Sequence, residues 1–296
     1  MNYQILRERL EEEGMMFQTT NDTEVILYLI TRYYDGDIVE AIKKTMKVIK
    51  GAYSVTALIK DKVVAFRDPH GFRPLVLGED GEDVIVASEN APIEIIGGKM
   101  TRNVEPGEII VIDESGVHSD RFESPATAKN CIFEYVYFAR NDATLDDINA
   151  YTFRRRCGEI LWEEAPCDVD LVVPVPDSGI PSAIGYAQAS TIPYGEGLVK
   201  NRYMGRTFIK PTQKERDMAV KLKPLGDVVK VKSIVLLDYS IVRGTTSRNL
   251  IDRLREAGAK EVHMRITSPP VKYSCYYGID TPNRKNLIAA NQSVEE

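Results

Sequence analysis

The sequence predicts an α+β region followed by an α/β region built on a parallel sheet. Three observations carry that reading. Apolar residues recur at helical spacing through residues 2–48. Short alternating segments bounded by turn residues follow, as expected of an antiparallel β set. From residue 150 onward the pattern changes to helices alternating with short, fully apolar runs. Such alternation implies a parallel sheet covered on both faces, and sheets of that kind bind ligands beyond the carboxyl ends of their strands.

Residues 2–13 read as an amphipathic helix with Ile5, Leu6 and Leu10 on one face. Thr20-Asn21-Asp22 offers a cap for a second helix over 24–34, and 38–48 forms a third. Strands are expected at 53–59, 62–67, 83–88 and 108–113, separated by Asp68-Pro69, Glu79-Asp80-Gly81 and Glu105-Pro106-Gly107. Over 119–129 the composition turns polar without periodicity, which places a boundary between a domain at 1–124 and another at 125–296. Beyond it, helical 150–164 leads to the apolar run 169–174, and helical 180–189 to a short strand near 197–199. A long basic stretch, 200–223, precedes the apolar strand 233–237, and a helix at 246–257 leads to a strand at 261–266.

The length of 296 residues suits about two domains. A formal net charge of −6 weighs against a nucleic-acid partner, whose footprint is basic, and against a DNA-binding regulator. No apolar run approaches the roughly 20 residues that cross a bilayer, and the N-terminus lacks a signal peptide's apolar core. A cytoplasmic protein with no membrane partner is the expectation. The four cysteines, Cys131, Cys157, Cys167 and Cys275, are not at metal-finger spacing. Cys157 and Cys167 read as packing residues.

The richest chemistry lies at 235–247, VLLDYSIVRGTTS. An apolar strand ends in Asp238, and Gly244-Thr245-Thr246-Ser247 opens the next helix. A phosphate monoester placed there meets unpaired backbone N–H groups and the positive end of the helix dipole. Gly244 lets the backbone approach closely, the hydroxyls of Thr245, Thr246 and Ser247 add donors, and Arg243 adds positive charge. Asp238 suits a ribose hydroxyl or a hydrated Mg²⁺. The plainer alternative is a strand–turn–helix with a Thr N-cap. Neither a Walker A loop nor a Gly-x-Gly-x-x-Gly fingerprint is present.

That stretch resembles the phosphoribosylpyrophosphate (PRPP) signature of type I phosphoribosyltransferases. The chain as a whole resembles the glutamine PRPP amidotransferase (amidophosphoribosyltransferase) family. CIFEYVYFAR at 131–140, VPVPDSG at 173–179, KNRYMGRTFIKP at 200–211, AGAKEVHMR at 257–265 and SPPVKYSCYYGID at 268–280 carry the likeness. The resemblance implies the purine-synthesis reaction of PRPP with ammonia, giving 5-phosphoribosylamine and pyrophosphate. It also implies Mg²⁺, purine nucleotides as feedback ligands and a homo-oligomer. By it, Asp177-Ser178-Gly179-Ile180 is the pyrophosphate loop. Asp238 holds ribose and metal, and Arg243, Gly244, Thr245, Thr246 and Ser247 hold the 5′-phosphate. The stretch 200–223 becomes a flexible loop over PRPP. There Arg202, Arg206 and Lys210, with Lys200 and Arg216, neutralise the departing pyrophosphate and exclude water.

Residues 2–60 resemble the later part of a class II, N-terminal-nucleophile glutaminase domain. The expected architecture is therefore a partial glutaminase domain followed by a type I phosphoribosyltransferase domain. Asp22, in the family's T-x-D-x-E motif, maps to the residue that binds the glutamine ammonium group, and the plain alternative for it is a helix N-cap. The family's N-terminal cysteine nucleophile has no counterpart in this sequence, whose first cysteine is Cys131, so ammonia is expected from another source. Relatives also continue well past Glu296. An inactive or split fragment that binds phosphoribosyl ligands, or completes a partner subunit, is the alternative expectation.

Two further departures matter. Tyr239 stands where the family has its second acidic residue, and a phenol with a pKa of about 10 does not replace a carboxylate facing Mg²⁺. Binding of Mg-PRPP is expected to weaken. Cys131 and Cys275 match two ligands of the iron–sulfur cluster found in one branch of the family. Because such clusters take four thiolates, an incomplete set is expected.

Overall fold

The computed structural model describes residues 2–122, 127–200, 222–279, 281 and 283–294. Internal contacts divide the chain into two compact units. One comprises residues 1–134, 143–147 and 275–280; the other comprises 135–142, 148–274 and 281–296. The division expected between 124 and 125 falls on residues outside the described set.

The first unit opens with α1 (Tyr3–Glu12), α2 (Asp22–Tyr33) and α3 (Ile38–Val48). In α3 the buried residues are Ile38, Ala41, Ile42, Thr45 and Met46, a stripe at i, i+3, i+4, i+7 and i+8. Asp37 starts it by accepting the amides of Val39 and Glu40. In α2 the capping oxygen belongs to Asn21, which accepts the Thr23 amide at 3.0 Å. Asp22 is the first residue inside the helix, so the N-cap reading of Asp22 is corrected. Glu24, one turn in, reaches back to the amides of Gln18 and Thr19 at 2.7 and 2.9 Å.

These helices pack onto an antiparallel sheet. Its order is β1 (Ser54–Ile59), β2 (Lys62–Arg67), β6 (Glu108–Asp113), β7 (Gly116–Arg121). Val64, Phe66 and Ile109 join the helical core from it. A second antiparallel sheet runs β4 (Asp83–Ala87), β3 (Val76–Asp80), β5 (Lys99–Asn103), with the short helix α4 (Asn90–Ile95) between β4 and β5. None of the strand and helix spans expected from the sequence covers α4, β3, β5 or β7.

A π-helical turn at Glu134–Phe138, short strands β8 (Thr144–Leu145) and β9 (Ile148–Asn149), and α5 (Ala150–Glu164) follow. The second unit then alternates β10 (Leu171–Pro174), α6 (Ile180–Ser190), β11 (Leu198–Lys200), β12 (Leu222–Pro224), α7 (Gly226–Val229), β13 (Ser233–Asp238), α8 (Thr245–Glu256) and β14 (Glu261–Ile266). The parallel sheet has the order β10–β13–β14. Along β13, Ile234 and Leu236 pack with Leu250 and Leu254 of α8, whereas Val235 and Leu237 pack with Ala183 and Tyr186 of α6. Both faces of the strand are buried, which explains its unbroken apolar run. Each such Leu or Ile contributes about 1.5–3 kcal/mol through burial.

The basic stretch 200–223 is not loop throughout. β11 and β12 pair antiparallel, with Lys200 opposite Leu222 and Val199 opposite Lys223, so its two ends belong to one ladder. Arg202, Arg206, Lys210 and Arg216 lie outside the described residues. Among those described, no helix is long and apolar enough to cross a membrane.

Candidate functional site

Pro174 and Leu237, near the carboxyl ends of β10 and β13, are register partners, so the turns that follow start side by side. One backbone atom joins them: Val175 N–H donates to the Leu237 carbonyl at 2.8 Å. In the first turn, Gly179 N–H donates to Val175 O at 2.9 Å and Ile180 N–H to Asp177 O at 3.3 Å. A Cβ on Gly179 would sit 2.4 Å from the Leu237 oxygen, so only glycine closes this turn. Ser178 is partly buried, while the Asp177 carboxylate is exposed and ion-paired to Lys200 Nζ at 2.6 Å.

In the second turn, Gly244 adopts φ +78° and occupies the N-cap of α8, with no side chain capping the helix. The Thr N-cap alternative is thereby corrected, because Thr245 is the first helical residue. The amides of Thr245, Thr246 and Ser247 open the helix with no capping oxygen, and both threonines are exposed. Arg243 is exposed just before them. Behind the turn, Ile288 N–H donates to Val242 O at 3.0 Å, and its Cδ1 lies 3.0 Å from where a Gly244 Cβ would be. Two adjacent helix entrances, one flanked by Lys200 and the other by Arg243, suit a ligand with two anionic groups.

Asp238 ends β13, just ahead of the second turn. Burial pushes its carboxyl up to about 6, against the opposing pull of the Tyr239 amide, which donates to Oδ1 at 2.8 Å. The Tyr239 ring lies face to face with Tyr137, centroids 4.2 Å apart and planes 12° from parallel. Burial, then the neighbouring Tyr137 and Asp238, push its phenol above the ordinary tyrosine range. The backbone here is also fixed: Ser268 N–H donates to Tyr239 O at 2.9 Å and Thr267 N–H to Asp238 O at 3.2 Å.

Tyr137 belongs to the π-helical turn, and a single buried cation organises the chain around it. Arg154, 4% exposed, donates to Tyr135 O at 2.7 Å, Ala139 O at 2.8 Å and Asn141 Oδ1 at 2.6 Å. Neither Tyr137 nor Arg154 is among the site residues expected from the sequence. Arg154 is one of three consecutive arginines in α5, and nothing in the string separates it from its neighbours.

Magnesium takes near-octahedral oxygen coordination from carboxylates, water and substrate phosphates. Asp238 offers one carboxylate and Tyr239 a neutral phenol, while Asp177 is committed to Lys200. Among the described residues, no group of three or more His, Cys, Asp or Glu could hold a metal. These residues do not build a magnesium site of their own.

Cys131 and Cys275 both lie in the first unit, partly buried. Cys131 N–H donates to Phe72 O at 3.4 Å, and Cys275 Sγ accepts the Tyr277 amide at 3.3 Å. Two thiols supply half of a four-thiolate set. Cys167 Sγ packs 3.2 Å from the Tyr186 hydroxyl, and burial raises the Cys157 thiol. Asp22 is exposed at the start of α2.

A parallel sheet with two phosphate-suited turns at its carboxyl edge defines the second unit as phosphoribosyltransferase-like. The first unit carries a glutamine amidotransferase domain, whose family model matches residues 1–94. The chain is 49% identical, over its full length, to the amidophosphoribosyltransferase of Methanothermobacter thermautotrophicus, of which it covers 63%. It is 44% identical to that of Methanocaldococcus jannaschii, covering 67% of it. The solved glutamine PRPP amidotransferase of Bacillus subtilis, complexed with ADP and GMP, superposes with a TM-score of 0.91 at 44% identity. That match covers 99% of this chain and 65% of the other. The chain belongs to the amidophosphoribosyltransferase family. It spans about two thirds of the length of these relatives.

Proposed function

We propose that the chain performs the amidophosphoribosyltransferase step of purine synthesis, converting PRPP and ammonia to 5-phosphoribosylamine and pyrophosphate. The observation that carries this reading is the pair of turns joined at Leu237 O, which sets two glycine-bearing helix entrances side by side. Gly244, Thr245, Thr246 and Ser247 take the 5′-phosphate, with Arg243 beside them; the backbone of Asp177, Ser178, Gly179 and Ile180 takes the pyrophosphate; Asp238 accepts a ribose hydroxyl. The ammonia lone pair bonds to ribose C1 as the C1–O bond breaks, and the electron pair leaves with pyrophosphate. The nitrogen then releases a proton to solvent. Arg202, Arg206 and Lys210 neutralise the charge that develops on the leaving group.

Asp22 binds the ammonium group of glutamine where glutamine supplies the nitrogen. Purine nucleotides act as feedback ligands, in keeping with the ADP and GMP carried by the B. subtilis relative. A homo-oligomer in the cytoplasm completes the proposal. The test is formation of pyrophosphate from millimolar PRPP and ammonium at alkaline pH, which bypasses glutamine altogether. Pyrophosphate release that depends on ammonium is the expected result, and none above the enzyme-free background overturns the reading.

A further inference from the structure

We propose that the stacked Tyr137–Tyr239 pair, braced by Arg154, orders the ribose end of the site in place of a protein-held metal, so that PRPP binds with an affinity nearly independent of Mg²⁺. This rests on the phosphoribosyl reading above and concerns how the same site holds its ligand.

Four observations lead there. The one carboxylate at the end of β13, Asp238, is followed by an aromatic ring and not by a second acid. That ring is not loose: at 4.2 Å and 12° its face is covered by Tyr137. Tyr137 in turn sits on a segment whose carbonyls and Asn141 side chain are gripped by the buried guanidinium of Arg154. The backbone of 238–239 is tied on its other side to Thr267 and Ser268. Position 239 is therefore ordered before any ligand or ion arrives.

A bound cation would ordinarily do two things at such a place, ordering the loop and joining it to the ligand's oxygens. Stacking already does the first. For the second, the protein contributes a single carboxylate, so an ion carried by PRPP gains little from this chain. Asp238 is left to accept ribose hydroxyls directly, and the two turns meet the phosphates. Tyr137 and Arg154 touch no ligand in this scheme and are positioning residues.

The experiment is calorimetric titration of PRPP into the full chain, once with excess EDTA and once with millimolar Mg²⁺. Wild type is expected to show affinities within about threefold of each other, whereas Tyr239→Asp gains about tenfold or more with Mg²⁺. Tyr137→Phe preserves the stack and the wild-type ratio. Tyr137→Ser weakens binding in EDTA by about tenfold. If Tyr137→Ser does not fold, the comparison of wild type with Tyr239→Asp decides alone. A wild-type affinity that rises tenfold or more with Mg²⁺ overturns the proposal and leaves the phosphoribosyl reading standing. Unchanged EDTA affinity in folded Tyr137→Ser also overturns it. Absence of PRPP binding by wild type and by Tyr239→Asp, with and without Mg²⁺, removes the phosphoribosyl reading and this proposal together.

Discussion

The turn after β10 and the turn after β13 look alike in outline. Each follows a strand of the parallel sheet, each opens a helix, and each has glycine at the entrance. Their glycines answer different demands. Gly244 is there for its backbone, at φ +78°, with only the flexible end of Ile288 nearby. Gly179 has ordinary right-handed dihedrals, and it is there because the Leu237 carbonyl leaves no room for a side chain. Their charges differ as well: the first turn carries an acid already paired with a lysine, and the second offers open amides, hydroxyls and an arginine. One turn is constrained from outside and electrically balanced; the other is constrained from within and electrically open.

Substitutions can break or sharpen this contrast. Gly179→Ala has the largest expected effect, because its Cβ meets a carbonyl pinned by Val175 N–H and the backbone itself must move. A loss of about 3 kcal/mol or more in denaturant unfolding is expected. At Asp238, where β13 ends and the second turn begins, the contrast becomes a pH effect. Its folded pKa of about 6 lies above the ordinary value, so the native state holds the proton more tightly than the unfolded chain. The resulting stability is present at low pH and is lost as pH rises through about 6. Asp238→Asn should match wild type near pH 3 and exceed it at pH 8 by about 3 kcal/mol, read from paired melts across pH. Equal stability at pH 8 would show that the carboxylate is not desolvated.

Gly244→Ala should cost about 1–2 kcal/mol, the strain of a left-handed residue, with Ile288 shifting to make room. If it costs more than Gly179→Ala, the two assignments are reversed. The smallest stability effect belongs to Asp177→Asn, since both partners of that ion pair are exposed. Its melt should be unchanged, while inorganic pyrophosphate binds about threefold tighter once Lys200 is released. Weaker pyrophosphate binding would assign the carboxylate a direct role in holding the ligand.

What could be read in the string follows from how each feature is encoded. The stripe of α3 and the two-faced burial of β13 are written locally, in period and in unbroken apolarity. β7 is exposed along its whole length and buries neither face, so it has no alternation to detect. β5 is mostly polar, and β3 is interrupted by Gly78, which packs against Ile93 and leaves no side chain in the pattern. At the candidate site, the turn from Gly244 to Ser247 is legible because a glycine followed by hydroxyl residues at a strand-to-helix junction is a contiguous motif. The Asp177–Lys200 pair, the Tyr137–Tyr239 stack and the grip of Arg154 each join residues far apart in the chain. Only the fold brings them together. Tyr239 could be flagged as an odd residue, but not what its ring would rest on.

The carbonyl of Leu237 has one more consequence. It accepts the hydrogen bond that ties the turns together, and it is the wall against which one of them is folded. The spacing between the two turns is thus set by covalent and hydrogen-bonded backbone, not by side chains free to adjust. The sheet edge acts as a gauge of fixed span. Under the proposed function, a ligand with charge at both ends would meet that span first, and substitution among the side chains of the turns would retune grip without resetting it.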